Sequence, residues 1–332
     1  MQSLNSRVSL VFAVAVVSVV SLGDFTSACQ VPVFRFALER WAPDRYQAMI
    51  LCRGPLSAEM ESWLKPLRPG PGLMAPVELT IVDMETTTQN LELQELWDQH
   101  RGDDSLPVLV VQYPKRFGAS APASVQPLSE NSVRSVLDSP VRSEIVRRLT
   151  EGHSAVWVLL KSGDAVKDAK ALERLESQLI RDAERLELPS AEELEVDDAV
   201  LGKAKIPLKI NFSVVSLDRQ NAAERFLIDC LVGSESDLRD YPDQPIAFPV
   251  FGRGIVLYAL VGDGISAEVI GAASKFIVGP CSCQVKEQNP GFDLLLNCDW
   301  DSIVGSTLIS SPVPSVDSAP RLLTIPPGKA KN

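Results

Sequence analysis

The chain has 332 residues, and its 43 Asp and Glu outnumber its 32 Lys and Arg, giving a formal charge of −11 at pH 7. That balance argues against nucleic acid as a partner, since phosphates must be met by Lys and Arg, and against adsorption to acidic membrane surfaces. With only two histidines, His100 and His153, a catalytic triad or a multi-histidine metal centre has almost nothing to draw on.

Residues 1–28 read as a secretion signal. Arg7 supplies the basic start, and residues 8–22 form an apolar run too short for a stable bilayer anchor. Thr26 and Ala28 then place small residues where a signal peptidase reads them, ahead of Cys29. The same cut would make Cys29 the first mature residue, the position acylated in bacterial lipoproteins, but Thr26 stands where their signal carries a bulky aliphatic residue. Plain export to the periplasm or cell envelope is the leading expectation. A lipid anchor at Cys29 is the alternative and would be the only link to a membrane. Roughly 300 remaining residues exceed what one small core organises, so two domains are expected, over 29–152 and 153–305.

In chain order, 29–41 ("CQVPVFRFALERW") puts Phe34, Leu38 and Trp41 on one helical face, with Arg35 and Glu39 spaced as a pair. Residues 45–52 suit a buried strand, which turns at Gly54-Pro55 into a helix carrying Met60, Trp63, Leu64 and Leu67. A strand at 75–84, a helix with Leu93, Leu96 and Trp97 inward, and a buried strand at 106–114 follow. Residues 118–127 suit an edge strand, and the next helical stretch is interrupted at Pro140.

The order then repeats. A strand at 154–163 leads to a long amphipathic helix, 164–186, with Leu172, Leu175, Leu179, Ala183 and Leu186 inward. After an acidic connector come a strand ("PLKINFSVVSLD"), a helix carrying Cys230, and a hairpin over 245–262 turning at Gly252-Arg253-Gly254. A helix and a final strand ("FDLLLNCDW") complete the unit, and 306–332, rich in Ser and Pro, reads as a flexible tail. The expected class is α/β, with the order βαβαββα twice.

At the first strand-to-helix turn the chain reads Cys52-Arg53-Gly54-Pro55-Leu56, and Pro107 precedes the third strand, as Pro245 does in the second half. These features resemble the thioredoxin superfamily, whose turn is Cys-Gly-Pro-Cys and whose cis-proline faces it. The resemblance implies tandem thioredoxin-like domains. It also implies a degenerate turn, because Arg53 and Leu56 hold the two cysteine positions and Cys52 lies one place early. The second half, "LLKSGDAVKDA", has no cysteine near its turn. Thiol chemistry needs a thiolate at a helix start and a resolving thiol one turn on.

The remaining cysteines gather late: Cys281 and Cys283, then Cys298, with Cys230 upstream. In an exported protein these read first as disulfide staples, one of Cys281 or Cys283 to Cys298, closing a short loop worth about 3 kcal/mol, and the other to Cys230. Two alternatives stand beside them: a thiolate metal site and a strained, redox-active Cys281–Cys283 pair. Cys29 has Cys52 as its partner in sequence if it is not acylated. The stretches "GPCSCQVKEQNPG" and "VPVFRFALERW" are also similar to a family of exported proteins of planctomycete-type bacteria, and the similarity implies export but no activity. The expectation is a non-catalytic binding or scaffold protein for an envelope partner, with no catalytic residue, metal or cofactor. The alternative is a disulfide oxidoreductase or metallochaperone using Cys281 and Cys283.

Overall fold

The structure is a computed structural model describing residues 30–70, 73–86, 91–100, 107–119, 121–194, 196, 201–281 and 286–305. The expected signal, Cys29, Cys283 and the tail from 306 lie outside the described residues.

The apolar runs pair into two mixed sheets. In the first, β1 (Tyr46–Cys52) lies beside parallel β2 (Val77–Asp83) and antiparallel β3 (Val108–Gln112), and β4 (Ser124–Pro127) completes the order β2-β1-β3-β4. In the second, β5 (Ala155–Leu160) lies beside parallel β6 (Phe212–Leu217) and antiparallel β7 (Ile246–Phe251). β8 (Ile255–Val256) pairs the end of β7, β9 (Leu260–Val261) pairs its beginning, and β10 (Phe292–Asp293) adds to the far side of β8. Leaving β9 and β10 aside, the two sheets share one strand order and one set of strand directions.

Among the described residues the assigned α-helices are α1 (Val33–Arg40), α2 (Ala58–Leu64), α3 (Leu91–His100), α4 (Glu130–Leu137), α5 (Pro140–Thr150), α6 (Ala165–Arg185), α7 (Arg225–Val232), α8 (Ala267–Val278) and α9 (Trp300–Val304). They stack in layers with the sheets. α3 covers part of the outer face of the first sheet through Trp97. α2, α4, α5 and α7 pack between the two sheets, and α1, α6 and α8 cover the far face of the second. β5 shows why its sequence is apolar throughout: Val156, Val158 and Leu160 face the middle layer, while Ala155, Trp157 and Leu159 face the outer one. Among the described residues no helix is long and apolar enough to cross a membrane.

Several expectations need correction. α1 does not pack on the first sheet, although it precedes it in sequence. It lies on the second, where Phe34, Phe36 and Ala37 join Trp157 and Phe251 in one cluster. Backbone bonds from Val33 to Gly279 O (2.9 Å) and from Cys281 to Val31 O (2.9 Å) fix it against the end of α8. The hairpin turn, at Gly252-Arg253-Gly254 as expected, approaches α1 so closely that a Cβ on Gly252 (φ 60°) would lie 2.6 Å from Ala37 Cβ.

The second hairpin arm is broken into β8 and β9 where it runs past Pro249. Leu257 donates to Pro249 O (3.1 Å), but proline has no N–H to return the bond. The interruption expected at Pro140 is present: the helical stretch at 130–150 is two helices, with Pro140 opening the second. The final strand shrinks to Phe292–Asp293, and Asp299 instead caps α9. On α6 the buried stripe is Ala171, Leu175, Gln178, Leu179 and Asp182, with Ala183 exposed. Gln178 Nε2 donates to Asp182 Oδ1 (2.5 Å), so this polar pair is tolerated where α6 meets Gly271 of α8.

Arg35 and Glu39 form the pair their spacing suggested, and it is buried, at 1% and 0% side-chain exposure and 2.6 Å apart. Arg35 also donates to Ile206 O at 2.7 Å, so it ties α1 to the segment entering β6. Glu39→Gln leaves that guanidinium without its counter-charge, and denaturant unfolding should register a loss of ~3 kcal/mol or more.

Candidate functional site

The first strand-to-helix turn begins where β1 ends. Cys52 is 2% exposed, and its Sγ donates to Val82 O at 3.6 Å in the neighbouring strand. Burial, then the nearby carboxylates of Asp83 and Glu61, push the thiol above its ordinary pKa. That is the reverse of what a nucleophilic cysteine requires. Continuing the β1–β3 register by one pair places Pro107 opposite Cys52. The turn itself is held by Gly54 (φ 69°), whose N–H donates to Asp83 Oδ1 at 3.3 Å. Pro55 is exposed beside it. Arg53 stretches over the Trp97 ring, 5.7 Å from its centroid, and Leu56 packs against the middle core. Ser57 caps α2 by accepting from Met60 N (3.2 Å).

The equivalent turn of the second sheet follows β5, and the β5–β7 register places Pro245 opposite Lys161. Its helix start is filled by carboxylates. Asp164 accepts from Val166 N (2.9 Å) and Lys167 N (3.2 Å). Asp168, 8% exposed, accepts from Ser162 N and Ser162 Oγ (both 2.8 Å) and from Gly163 N (3.1 Å). The donors that would stabilise a thiolate or another anion at this helix start are therefore already used. Asp164 and Asp168 were missed in the sequence, although Ser-Gly-Asp before a long helix is a legible capping signal.

The expected disulfide framework is not formed among the described residues. Cys52, Cys230 and Cys298 are buried free thiols. Cys230 and Cys298 belong to the middle core, whereas Cys281, 1% exposed, packs in the outer cluster with α1 and α8. The second sheet stands between them, so closeness in sequence does not become closeness in space. Burial pushes the Cys230 thiol up and raises that of Cys298 to about 11. Among the described residues no group of three or more His, Cys, Asp or Glu side chains is arranged to hold a metal ion. Cys29 and Cys283 lie outside this description.

Two features were not singled out from sequence. A groove of about 700 Å³ runs over the part of the first sheet that α3 leaves uncovered, lined by Gln47, Met49, Leu96, Gln112 and Lys115. It adjoins a 390 Å³ cleft between Phe117 and Ala119 on one side and Gly233, Glu235 and Arg239 on the other.

The second is a buried ion cluster. Lys286 reaches Asp293, Asp44 (3.1 Å) and Ala42 O (2.6 Å), and Arg116 Nε lies 2.6 Å from Asp44 Oδ2. It pins the segment leading into β1 to β10 and the segment leading into it. An aspartate inside the apolar run "FDLLL" was the available signal.

A comparison with protein families finds no match, and a comparison with curated proteins finds no similar one.

The thiols of Cys52, Cys230 and Cys298 should resist alkylation in the native protein at pH 8 and react together only on unfolding. Mass spectrometry after timed iodoacetamide exposure reads this directly; rapid labelling of Cys52 in the folded state would contradict the burial described.

Proposed function

We propose that this is an exported, non-catalytic binding or scaffold protein built from two thioredoxin-like units whose redox turns are degenerate. The observation that carries the reading is the turn after β1: one thiol, buried and raised in pKa, with Arg53 and Leu56 at the two positions where cysteines would work. The common strand order of the two sheets and the matching placement of Pro107 and Pro245 support the thioredoxin-like architecture. The carboxylate-filled start of α6 supports the loss of function in the second unit. What such a scaffold retains is surface, and the groove of about 700 Å³ beside Met49 and Gln112 is a concave part of it.

A thiol-dependent role for Cys281 and Cys283 is the weaker reading. Cys281 lies beneath α1 and is 1% exposed, so no substrate disulfide reaches it without displacing that helix.

The test is a restoration. The double variant Arg53→Cys, Leu56→Cys recreates Cys-Gly-Pro-Cys at the turn. It should form a disulfide and reduce insulin with dithiothreitol as the electron source, at least tenfold above the wild-type protein, which should stay at background. Substantial wild-type activity would overturn the non-catalytic reading. A folded double variant unable to close its disulfide would overturn the thioredoxin-like one.

A further inference from the structure

We propose that Lys286 and Asp293 are joined in the mature protein by an intramolecular isopeptide bond, formed without any other enzyme. The two side chains are 9% and 1% exposed and in direct contact. Lys286 Nζ donates to Asp293 Oδ2, and a second carboxylate, Asp44, stands 3.1 Å from the same nitrogen. The surroundings are apolar and aromatic. Tyr46 donates its hydroxyl to the Asp293 carbonyl (2.6 Å), and the rings of Tyr113, Phe117 and Phe292 pack beside it.

The Asp293 carboxylate is held unequally, and this assigns the roles of its two oxygens. Oδ2 accepts both from Lys286 and from the backbone N–H of Asp44 (2.6 Å). Oδ1 is buried with no hydrogen-bond partner among the described residues. An ion pair that strands one oxygen in this way pays a desolvation cost that an amide would not. Burial raises the Asp293 carboxyl above its ordinary pKa, against the opposing charge of Lys286, which favours the protonated and electrophilic form. Burial acts on Asp44 in the same direction, but the hydrogen bond from Arg116 and the charge of Lys286 outweigh it, so Asp44 stays below the ordinary carboxylate range and ionised.

The step is a condensation. Asp44 relays one proton from the Lys286 ammonium to Asp293 Oδ1, leaving a lone pair on Nζ. Nζ attacks Cγ, and the Nζ–Cγ bond forms while the Asp44 N–H holds Oδ2 as negative charge develops on it. Asp44 relays a second proton from nitrogen to Oδ1, the Cγ–Oδ1 bond breaks, and one water leaves. The ammonium and carboxylate become an amide and a water, with Asp44 regenerated. The oxygen expelled is the one with no bond to lose. The amide oxygen keeps the Asp44 N–H, and the amide N–H retains acceptors in Ala42 O and Asp44 Oδ1.

The test uses the full mature chain, reduced and alkylated so that disulfides do not affect its mass. The intact protein should be lighter than its sequence by one water. Trypsin should fail to cut after Lys286, the one Lys or Arg between Lys275 and Arg321, and should yield a single peptide 276–321 short of that water. Fragmentation should place the link at Lys286 and Asp293. Asp44→Asn, which leaves both reacting residues in place, should lower the linked fraction at least tenfold and restore the cut. Full sequence mass with complete cleavage after Lys286 in the wild-type protein would overturn the bond. A linked fraction unchanged in Asp44→Asn would overturn the relay through Asp44.

Discussion

A desolvated cation must find acceptors, and among the described residues Arg35, Arg142, Arg253 and Lys286 find theirs far away in sequence. Arg35 donates to Ile206 O, Arg142 to Leu295 O, Arg253 to Leu38 O, and Lys286 to Ala42 O. Each bond crosses from a regular element to a segment outside the strands, or between lobes that the chain order separates. Removing such a group from water is costly unless every donor is met, so each bond fixes the path of a segment that secondary structure leaves free. Arg142 is the densest case. It donates to the carbonyls of Ser135 and Val136 at the end of α4, to Ser139 Oγ and to Leu295 O, and its guanidinium lies over the Phe226 ring. Arg253, in the hairpin turn, closes the last turn of α1 through Leu38 O and Glu39 O.

These bonds account for a chain that does not respect its own order. α1 precedes the first sheet yet lies on the second. Leu294, Leu295 and Leu296, which follow the second sheet, pack in the core that both sheets share. That middle core runs without a break from Tyr46 and Val111 to Val158 and Phe248. The two sheets are joined through it, and a groove and a cleft remain at their outer margin.

The same economy explains the two turns. A helix start beside the end of a parallel strand offers free N–H groups, which an anion such as a thiolate could use. Here Ser57 occupies one start, and Asp164 and Asp168 occupy the other. At the second start the backbone donors are met by internal carboxylates, and at the first Ser57 meets one of them.

The local pattern of apolar residues determined the elements by itself. The run at 154–163, the helix at 164–186 and the turn at Gly252-Arg253-Gly254 were all legible, because period and turn chemistry are written within a few neighbouring residues. The absence of a cysteine pair at either turn was equally plain. Tertiary structure alone decided which face of which sheet each element covers, that Arg35 and Glu39 are buried, and that Cys281 lies across a sheet from Cys298. It also decided that Lys286, Asp293 and Asp44 meet. Spacing along the chain carries no information about such encounters: they depend on acceptors and apolar surfaces that only the completed fold brings within reach.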